Sequence, residues 1–440
     1  MRPILTASQL ALLAALTSFA RAAWSRDADA FYPTLPDVPV APPAPPRPPA
    51  AEPPYAPFGS PGQVVLGDGT SISATSTQYS GSAASELALS FSPSFDVFLF
   101  RNLSIGLRAT LSFSDSVGYA ADSSLLRTHS TTVAIGPVFG ANVPLGTNFS
   151  LWPRLTLAVE SVHQDQSVAS ATTQAASSEV APSSTRAGPS VDLYLPLLFH
   201  ATPHLFIGAG PYVFHDFGRT QGNPNIGGER TTVGGSLFVG GYFGGAAASG
   251  PVPRSPASVR PFGEAGQVVI VSDDVLSGSY TAYEGGPTFV SSLGLSVGVD
   301  YFVFDNVSIG GVVTAEYTNQ VVATTGGSTK VSHEGLVLGP RLGVNVPMSQ
   351  ELSLYPLVTL AAGPSRYDET SGGNADDYDR IQVTVSIYAP LLVHPVSHFF
   401  VGLGPFLTHD LLGDISFPDG STATNRATTW GVSFTIGGWL

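Results

Sequence analysis

The chain has 440 residues, enough for two or three ordinary domains, and only 11% of them are charged. Its formal net charge of -14 argues against a nucleic-acid partner, because binding to phosphates needs clustered lysine and arginine. The absence of cysteine excludes disulfides, thiolate metal sites, cysteine catalysis and a lipid-modified N-terminal cysteine.

The N-terminal segment is typical of a secretory signal peptide. Arg2 supplies the positive start, residues 4–19 are apolar, and Ala20-Arg21-Ala22 resembles an A-x-A cleavage site. A buried or membrane helix is the alternative, disfavoured because the apolar run is short and leads into polar, proline-rich sequence. We therefore expect residues 1–22 to direct export across the inner membrane. No later run of about 20 apolar residues predicts a transmembrane helix.

Residues 23–57 are dense in proline, with the run APPAPPRPPAAEPPYAP. Such a composition favours an extended polyproline II conformation over helix or sheet. The segment is predicted to be a periplasmic spacer, and a ligand for a partner module is the alternative.

From Pro57 onward the sequence repeats itself. The leader Pro57-Phe58-Gly59 returns as Pro261-Phe262-Gly263, and later segments recur in the same order. The matching pairs are GQVV at 62–65 and 266–269, FRNLSIG at 100–106 and FDNVSIG at 304–310, IGPVFGANVP at 135–144 and LGPRLGVNVP at 338–347, FSLWPRLTLA at 149–158 and LSLYPLVTLA at 352–361, and the hairpins at 194–216 and 388–410. This order predicts a duplication, with units at 58–243 and 262–440 and a linker at 244–261.

Each unit is predicted to contain eight β-strands with side chains alternating between two faces. In one hairpin arm Leu205, Ile207 and Val213 share a face, while Gly208 and Gly210 lie on the other. The predicted strands are 63–74, 84–99, 103–115, 128–144, 149–163, 185–200, 204–217 and 230–243, then 266–275, 286–304, 307–318, 331–347, 352–366, 380–395, 398–411 and 427–440. Short turns alternate with long polar loops, which suits a barrel with both termini at the turn end.

The chemistry of the two faces favours a membrane over water. A soluble sandwich would place lysine and glutamate on its second face. Here that face is glycine, serine, threonine and alanine with a few charges, a composition that suits a crowded interior. The apolar face then contacts lipid, where a sheet must close because unpaired edges are costly. Seven aromatic residues near strand ends are candidates for interface girdles: Phe98, Phe100, Trp152, Tyr242, Phe243, Tyr355 and Trp439.

In these patterns the sequence resembles the small outer-membrane β-barrels of Gram-negative bacteria, over both units. The resemblance implies an all-β, antiparallel up-and-down transmembrane barrel of eight strands per unit, with periplasmic turns and outer-surface loops. It also implies outer-membrane lipid as surroundings, and the barrel-assembly machinery as a partner that reads a final aromatic residue. Tyr242-Phe243 matches that signal inside the chain, and Trp439-Leu440 departs from it at the last residue.

Two tandem eight-stranded barrels are predicted, with a single sixteen-stranded barrel as the alternative. The linker is long and each unit has its own PFG leader, which favours two barrels. Eight strands are just filled by side chains, whereas sixteen leave an aqueous channel. The expected inward charges mix both signs, as in a packed interior with paired charges: Glu86, Asp96, Glu160, Asp192, Arg108 and Arg154.

No catalytic, cofactor or metal site is predicted. His200 with His204, and His394 with His398, flank turns and are interpreted as polar turn residues, since a metal needs three or four ligands. The pairs His215-Asp216 and His409-Asp410 are interpreted as hydrogen-bonded rims, because no G-x-S-x-G motif marks a nucleophile. The acidic segment 368–379 lacks EF-hand spacing.

The predicted function is therefore structural or surface-interacting: closed barrels that display loops, with an unknown extracellular ligand. The alternative is a sixteen-stranded porin for passive diffusion of small solutes. An enzyme is disfavoured because no catalytic constellation is found.

Overall fold

The computed structural model describes residues 57–67, 70–79, 84–119, 125–169, 179–221, 229–245, 261–283, 289–324, 327–371, 374–416, 422–424 and 426–440. The predicted signal peptide, nearly all of the proline-rich spacer and most of the linker lie outside these residues. Within the described part, no helix is long and apolar enough to cross a membrane.

The described residues form one antiparallel sheet of twenty-six strand segments. The first half contains β1 (Gln63–Leu66), β2 (Ser71–Tyr79), β3 (Ser85–Ser92), β4 (Ser94–Phe100), β5 (Leu103–Tyr119), β6 (Leu125–Ala141), β7 (Val143–Pro144), β8 (Phe149–Leu151), β9 (Arg154–Ala169), β10 (Glu179–Tyr194), β11 (Leu197–His200), β12 (Leu205–Asp216), β13 (Arg219–Gln221) and β14 (Arg230–Gly244). The second half contains β15 (Val268–Tyr283), β16 (Phe289–Phe304), β17 (Val307–Thr324), β18 (Gly327–Val344), β19 (Val346–Pro347), β20 (Leu352–Leu354), β21 (Leu357–Ser371), β22 (Asn374–Tyr388), β23 (Leu391–Val396), β24 (Phe399–Ser416), β25 (Thr422–Thr424) and β26 (Ala427–Trp439).

Short interruptions divide several of the predicted strands into two segments. Pro93 separates β3 from β4, and Pro196 lies between β10 and β11. Proline has no backbone N–H to donate, so it cannot complete the ladder at these two positions. Joining such pairs along the chain leaves sixteen strands among the described residues, each antiparallel to its neighbours. The prediction of an antiparallel up-and-down barrel is confirmed.

The prediction of two separate eight-stranded barrels is wrong, and the alternative of one sixteen-stranded barrel describes the sheet. At the end of the long loops, β14 of the first half pairs with β15 of the second, from Arg230 opposite Tyr283 to Leu237 opposite Leu276. The ring closes where β2 pairs with β26, with Thr75 opposite Gly431. These two seams join the halves into one ring at this loop end.

The pairing changes at the opposite end, where the short turns lie. There β1 pairs with β14 of its own half, with Val65 opposite Tyr242. Likewise β15 pairs with β26, with Val269 opposite Trp439. The first and last strands of each half therefore meet at this turn end, and the ring divides into two lobes, which we call the first and second lobe.

A small apolar core fills the space between the two lobes. It is formed by Leu205, Val239, Phe399 and Ile436, all buried. Gly241 is required at this contact, because a Cβ atom there would overlap the ring of Phe399. Leu205 thus lies on the predicted apolar outer face of its strand, yet packs against the other half instead of lipid.

Elsewhere the predicted outer face is apolar and exposed, as a lipid-facing surface requires. Exposed examples are Leu87, Leu89, Phe91, Leu107, Leu111, Leu157, Leu193, Leu197, Phe199, Leu338, Leu360 and Leu403. The girdle prediction is wrong for five aromatic residues: Phe98, Trp152, Tyr242, Tyr355 and Trp439 are buried inside the lobes. Their register places them on the inner face, whereas Phe100 is 67% exposed.

We expect a disulfide to form in the double variant Ser236→Cys/Ser277→Cys. These residues are Cα partners across the seam between β14 and β15, and opposed residues in antiparallel strands lie about 4.5–5.5 Å apart. The chain has no other cysteine, so mobility on non-reducing gels after refolding and mild oxidation reports the bond directly.

The double variant Thr75→Cys/Thr232→Cys is the control, and it tests whether each half forms a barrel of its own. Extending the register of Gln63 with Gly244 would place those two residues opposite each other if each half closed along its whole height. In the observed ring Thr75 instead faces Gly431. A bond in the control pair, and none between positions 236 and 277, would contradict the shared ring.

Candidate functional site

The interior of the first lobe is filled by a plug of aromatic side chains around Phe58, from the PFG leader. The ring of Phe58 lies 5.1 Å from those of Phe98, His200 and Tyr242, and 5.6 Å from those of Trp152 and Phe206. Edge-to-face contacts at such distances stabilise aromatic clusters beyond their buried area. The lobe is therefore closed at the turn end.

Hydrogen bonds to its backbone hold the leader in place. The Gln63 side chain, fully buried, accepts bonds from the N–H groups of Gly59 and Ser60 and donates 3.0 Å to the carbonyl of Pro57. Asn142 donates 3.1 Å to the carbonyl of Phe58. The repeated PFG…Q spacing in the two halves of the sequence thus has a structural role, which is to position the phenylalanine.

The second lobe contains a matching plug. The ring of Phe262 lies 5.3–5.6 Å from those of Phe302, Tyr355, Phe400 and Trp439, and 5.1 Å from the ring of His394. Gln267 and Asn345 bind the leader as their counterparts do in the first lobe. Both lobes are closed in the same way.

A buried ion pair lies directly above each plug, and the two halves build it differently. In the first lobe Arg154 donates to Asp96 at 2.7 Å and lies over the Trp152 ring. In the second lobe Asp300 binds Arg341 through two hydrogen bonds, at 2.8 and 2.7 Å. The sequence repeats align Asp96 with Asp300, but the arginine comes from a different strand in each half.

Above the first plug lies a cavity of about 510 Å³. Its charged lining residues are Arg108, Asp192, Glu160 and Arg230. Arg108 donates to Asp192 at 2.9 Å, and Arg230 donates to Glu160 at 2.8 Å. Hydroxyl groups of threonine and serine, rings of tyrosine and phenylalanine, and the aliphatic side chains of Ala134, Ile135, Ala158 and Leu237 complete the lining. Of the predicted inward charges, Arg108, Asp192 and Glu160 line this cavity. Asp96 and Arg154 form the ion pair below it, and Glu86 is exposed near the loop end.

The turn histidines have separate partners. His200 and His394 face their plugs, where each ring nitrogen Nε2 lies 2.9 Å from a serine hydroxyl, Ser150 or Ser353. His204 donates from Nδ1 to the carbonyl of Tyr242 at 3.0 Å, and burial lowers the pKa of this imidazole. No group of three potential metal ligands occurs among the described residues.

The neighbouring residues His215 and Asp216 point to opposite faces of their strand, as successive residues do. Asp216 is buried beside Arg186, at 2.9 Å. His215 lies on the outer face, 2.9 Å from the Thr231 hydroxyl. The same division holds for His409 and Asp410. Neither histidine is oriented by the aspartate that follows it.

The acidic segment 368–379 forms the ends of β21 and β22 in its described part. Asp368 accepts from Arg366 at 3.1 Å, and the rings of Tyr367 and Tyr378 stack 4.9 Å apart. The segment extends the barrel wall instead of forming a ligand-binding loop.

Sequence reasoning missed the two plugs and the cavity. The signal for the plugs was present: the PFG leader and its glutamine occur in both halves. The cavity had no such signal, because its four charged residues come from four different strands.

Comparison with known proteins finds distantly similar solved structures but no related sequence family. No family model and no curated protein matches the chain. A Pseudomonas aeruginosa FadL homologue matches with 11% identity and a TM-score of 0.32, over 86% of this chain and 90% of that one. An outer membrane channel from Pseudomonas putida F1 matches with 11% identity and a TM-score of 0.29, over 87% and 98%. A deltaS2 mutant of the TodX monoaromatic hydrocarbon channel matches with 10% identity and a TM-score of 0.32, over 87% of this chain and 90% of that one. These overlaps are too loose to carry an argument about function.

Proposed function

We propose that this protein is an outer-membrane β-barrel that receives small solutes from its loop end and is closed to their passage at its turn end. The single observation that carries this proposal is the pair of plugs around Phe58 and Phe262, which fill both lobes. The apolar outer face supports the membrane location, and the barrel-assembly machinery is the expected partner for insertion.

The division into lobes explains why the plugs are effective. An eight-stranded interior is just wide enough to be filled by side chains, whereas a sixteen-stranded one leaves an aqueous space. The wide ring at the loop end can therefore hold solvent and solute, and the two narrow lobes below it are packed. Solvent reaches the cavity of the first half, since the Arg108 side chain is 40% exposed.

Passive diffusion through a sixteen-stranded porin is the second candidate function. The sixteen-stranded ring at the loop end favours it, because barrels of that size leave room for a channel. It requires a continuous path through at least one lobe, and the buried aromatic side chains occupy that path in this conformation.

We expect the refolded full-length protein to give no stable channels in planar lipid bilayers. The filled lobes leave no water column for ions to follow. Single-channel recordings check this, with a general porin as the positive control and heat-unfolded protein as the negative control. Large, long-lived conductance steps from the folded protein would reject the closed barrel and establish the passive porin.

A further inference from the structure

The cavity in the first half has charged groups that the second half lacks at every matching position. The sequence repeats align Arg108 with Val312, Asp192 with Ser386, Glu160 with Gly363 and Arg230 with Ala427. The strands carrying them are paired in both halves alike. These four charges are therefore not needed to build the barrel wall.

The pair Arg186 and Asp216 provides the contrast. It recurs in the second half as Arg380 and Asp410, which are also bonded to each other. A pair present in both halves has a structural role that both halves need. The charges found only around the cavity then point to a role specific to the first half.

The four charges neutralise one another. Arg108 is paired with Asp192, and Arg230 is paired with Glu160, which Arg186 also contacts at 3.2 Å. A net-neutral wall gives no long-range attraction to an ion of either sign. The wall instead presents planar guanidinium donors and carboxylate acceptors at fixed positions, and these suit a neutral polar ligand.

The remaining lining combines hydroxyl groups, aromatic rings and four aliphatic side chains. Thr132, Thr156 and Ser236 supply hydroxyls, and Tyr212 and Phe214 supply ring faces, with Arg230 lying 5.0 Å over the Phe214 ring. A sugar has the matching chemistry, because its hydroxyls bond to charged planar groups and its C–H faces lie on aromatic rings. The volume of about 510 Å³ falls in the range of roughly 300–1,000 Å³ typical of small-molecule sites.

We propose that this cavity binds a small neutral polyhydroxylated solute of mono- or disaccharide size. Arg108, Asp192 and Glu160 bond to its hydroxyls, and Tyr212 provides a stacking face. The inference rests on the proposed function in one respect, which is that solutes enter from the loop end.

The test is calorimetric titration of the refolded full-length protein in a zwitterionic detergent, since alkyl glycosides would compete. Maltose and glucose are the probes, and the amino acid glutamine and sodium butyrate are the comparison ligands. We expect saturable sugar binding, and about a tenfold or greater loss of affinity in Arg108→Val/Asp192→Ser, which removes both partners of one pair together. Val312→Ala, at the matching position of the second half, is the control and should bind as wild type does.

Thr132→Val serves as a second variant, should the double variant fail to fold as judged by mobility on gels with and without boiling. It removes one hydroxyl at nearly constant volume and should weaken sugar binding. Absence of sugar binding, an affinity unchanged in both cavity variants, or binding of glutamine or butyrate without binding of either sugar would overturn the proposal. Conductance measured without sugar tests the closed barrel separately, so either idea can fail while the other stands.

Discussion

Replacing Arg154 by leucine is expected to destabilise the first lobe by about 3–5 kcal/mol, because it leaves the Asp96 carboxylate buried without its partner. Asp96 is 1% exposed and its ion pair with Arg154 measures 2.7 Å. Leucine is the residue found at the matching position of the second half, Leu357, so its size alone does not forbid it. Urea unfolding of the protein refolded in lipid vesicles gives the change in free energy.

The second half also indicates how the loss can be reversed. Its Asp300 is paired with Arg341, where the first half has Val138. Gly298 leaves room for that arginine, because a Cβ atom there would lie 2.7 Å from the guanidinium carbon. Tyr355 adds a hydrogen bond to Asp300 at 3.2 Å, and Trp152 stands at its position in the first half.

We therefore expect the fourfold variant Ser94→Gly/Val138→Arg/Trp152→Tyr/Arg154→Leu to regain most of the lost stability. It carries the whole arrangement of the second lobe into the first. The new tyrosine would also approach the Ser104 hydroxyl, as Tyr355 approaches Ser308 at 2.7 Å. If the fourfold variant is no more stable than Arg154→Leu, the two pairs are not interchangeable and this account of them is wrong.

The second large effect is expected from Phe58→Ala. Phe58 is 8% exposed and contacts five rings, so truncation leaves a cavity that rigid aromatic neighbours cannot fill. Loss of a buried phenylalanine costs about 3–5 kcal/mol. Thermal unfolding followed by circular dichroism, with urea unfolding in vesicles, measures the loss.

Phe262→Ala should cost a similar amount, because the second plug has the same composition of contacts. Phe100→Ala is the matched control: this residue lies on the outer face near the same turns and is 67% exposed. Its truncation should leave stability nearly unchanged. Equal losses in Phe58→Ala and Phe100→Ala would show that Phe58 does not act as a plug.

Alternation alone predicts which face of the wall several residues of the candidate site occupy. Period-two patterns place Asp96, Arg154 and Trp152 on an inner face, and all three are buried inside the first lobe. The girdle prediction failed because it relied on how near each aromatic residue lies to a strand end. It ignored alternation along the strand, which decides whether the side chain faces inward or outward. Pairing partners could not be obtained in the same way, since alternation says which face a residue occupies but not which strand lies beside it.

The strands, their two faces and the closed antiparallel wall follow from sequence pattern alone, because a period of two and the cost of an unpaired edge in lipid leave few alternatives. How the wall closes depends on tertiary contacts. The first strand of each half has two candidate neighbours, the last strand of its own half and that of the other half, and both have similar sequences. The first strand pairs with β14 up to Leu66 and with β26 from Ser73 onward. This change of neighbour leaves room between the lobes, where Phe399 and Leu205 pack together. Contacts between residues so far apart in the chain have no local pattern, so the lobes and the cavity could not be predicted, whereas the repeated PFG leader marked the position of each plug.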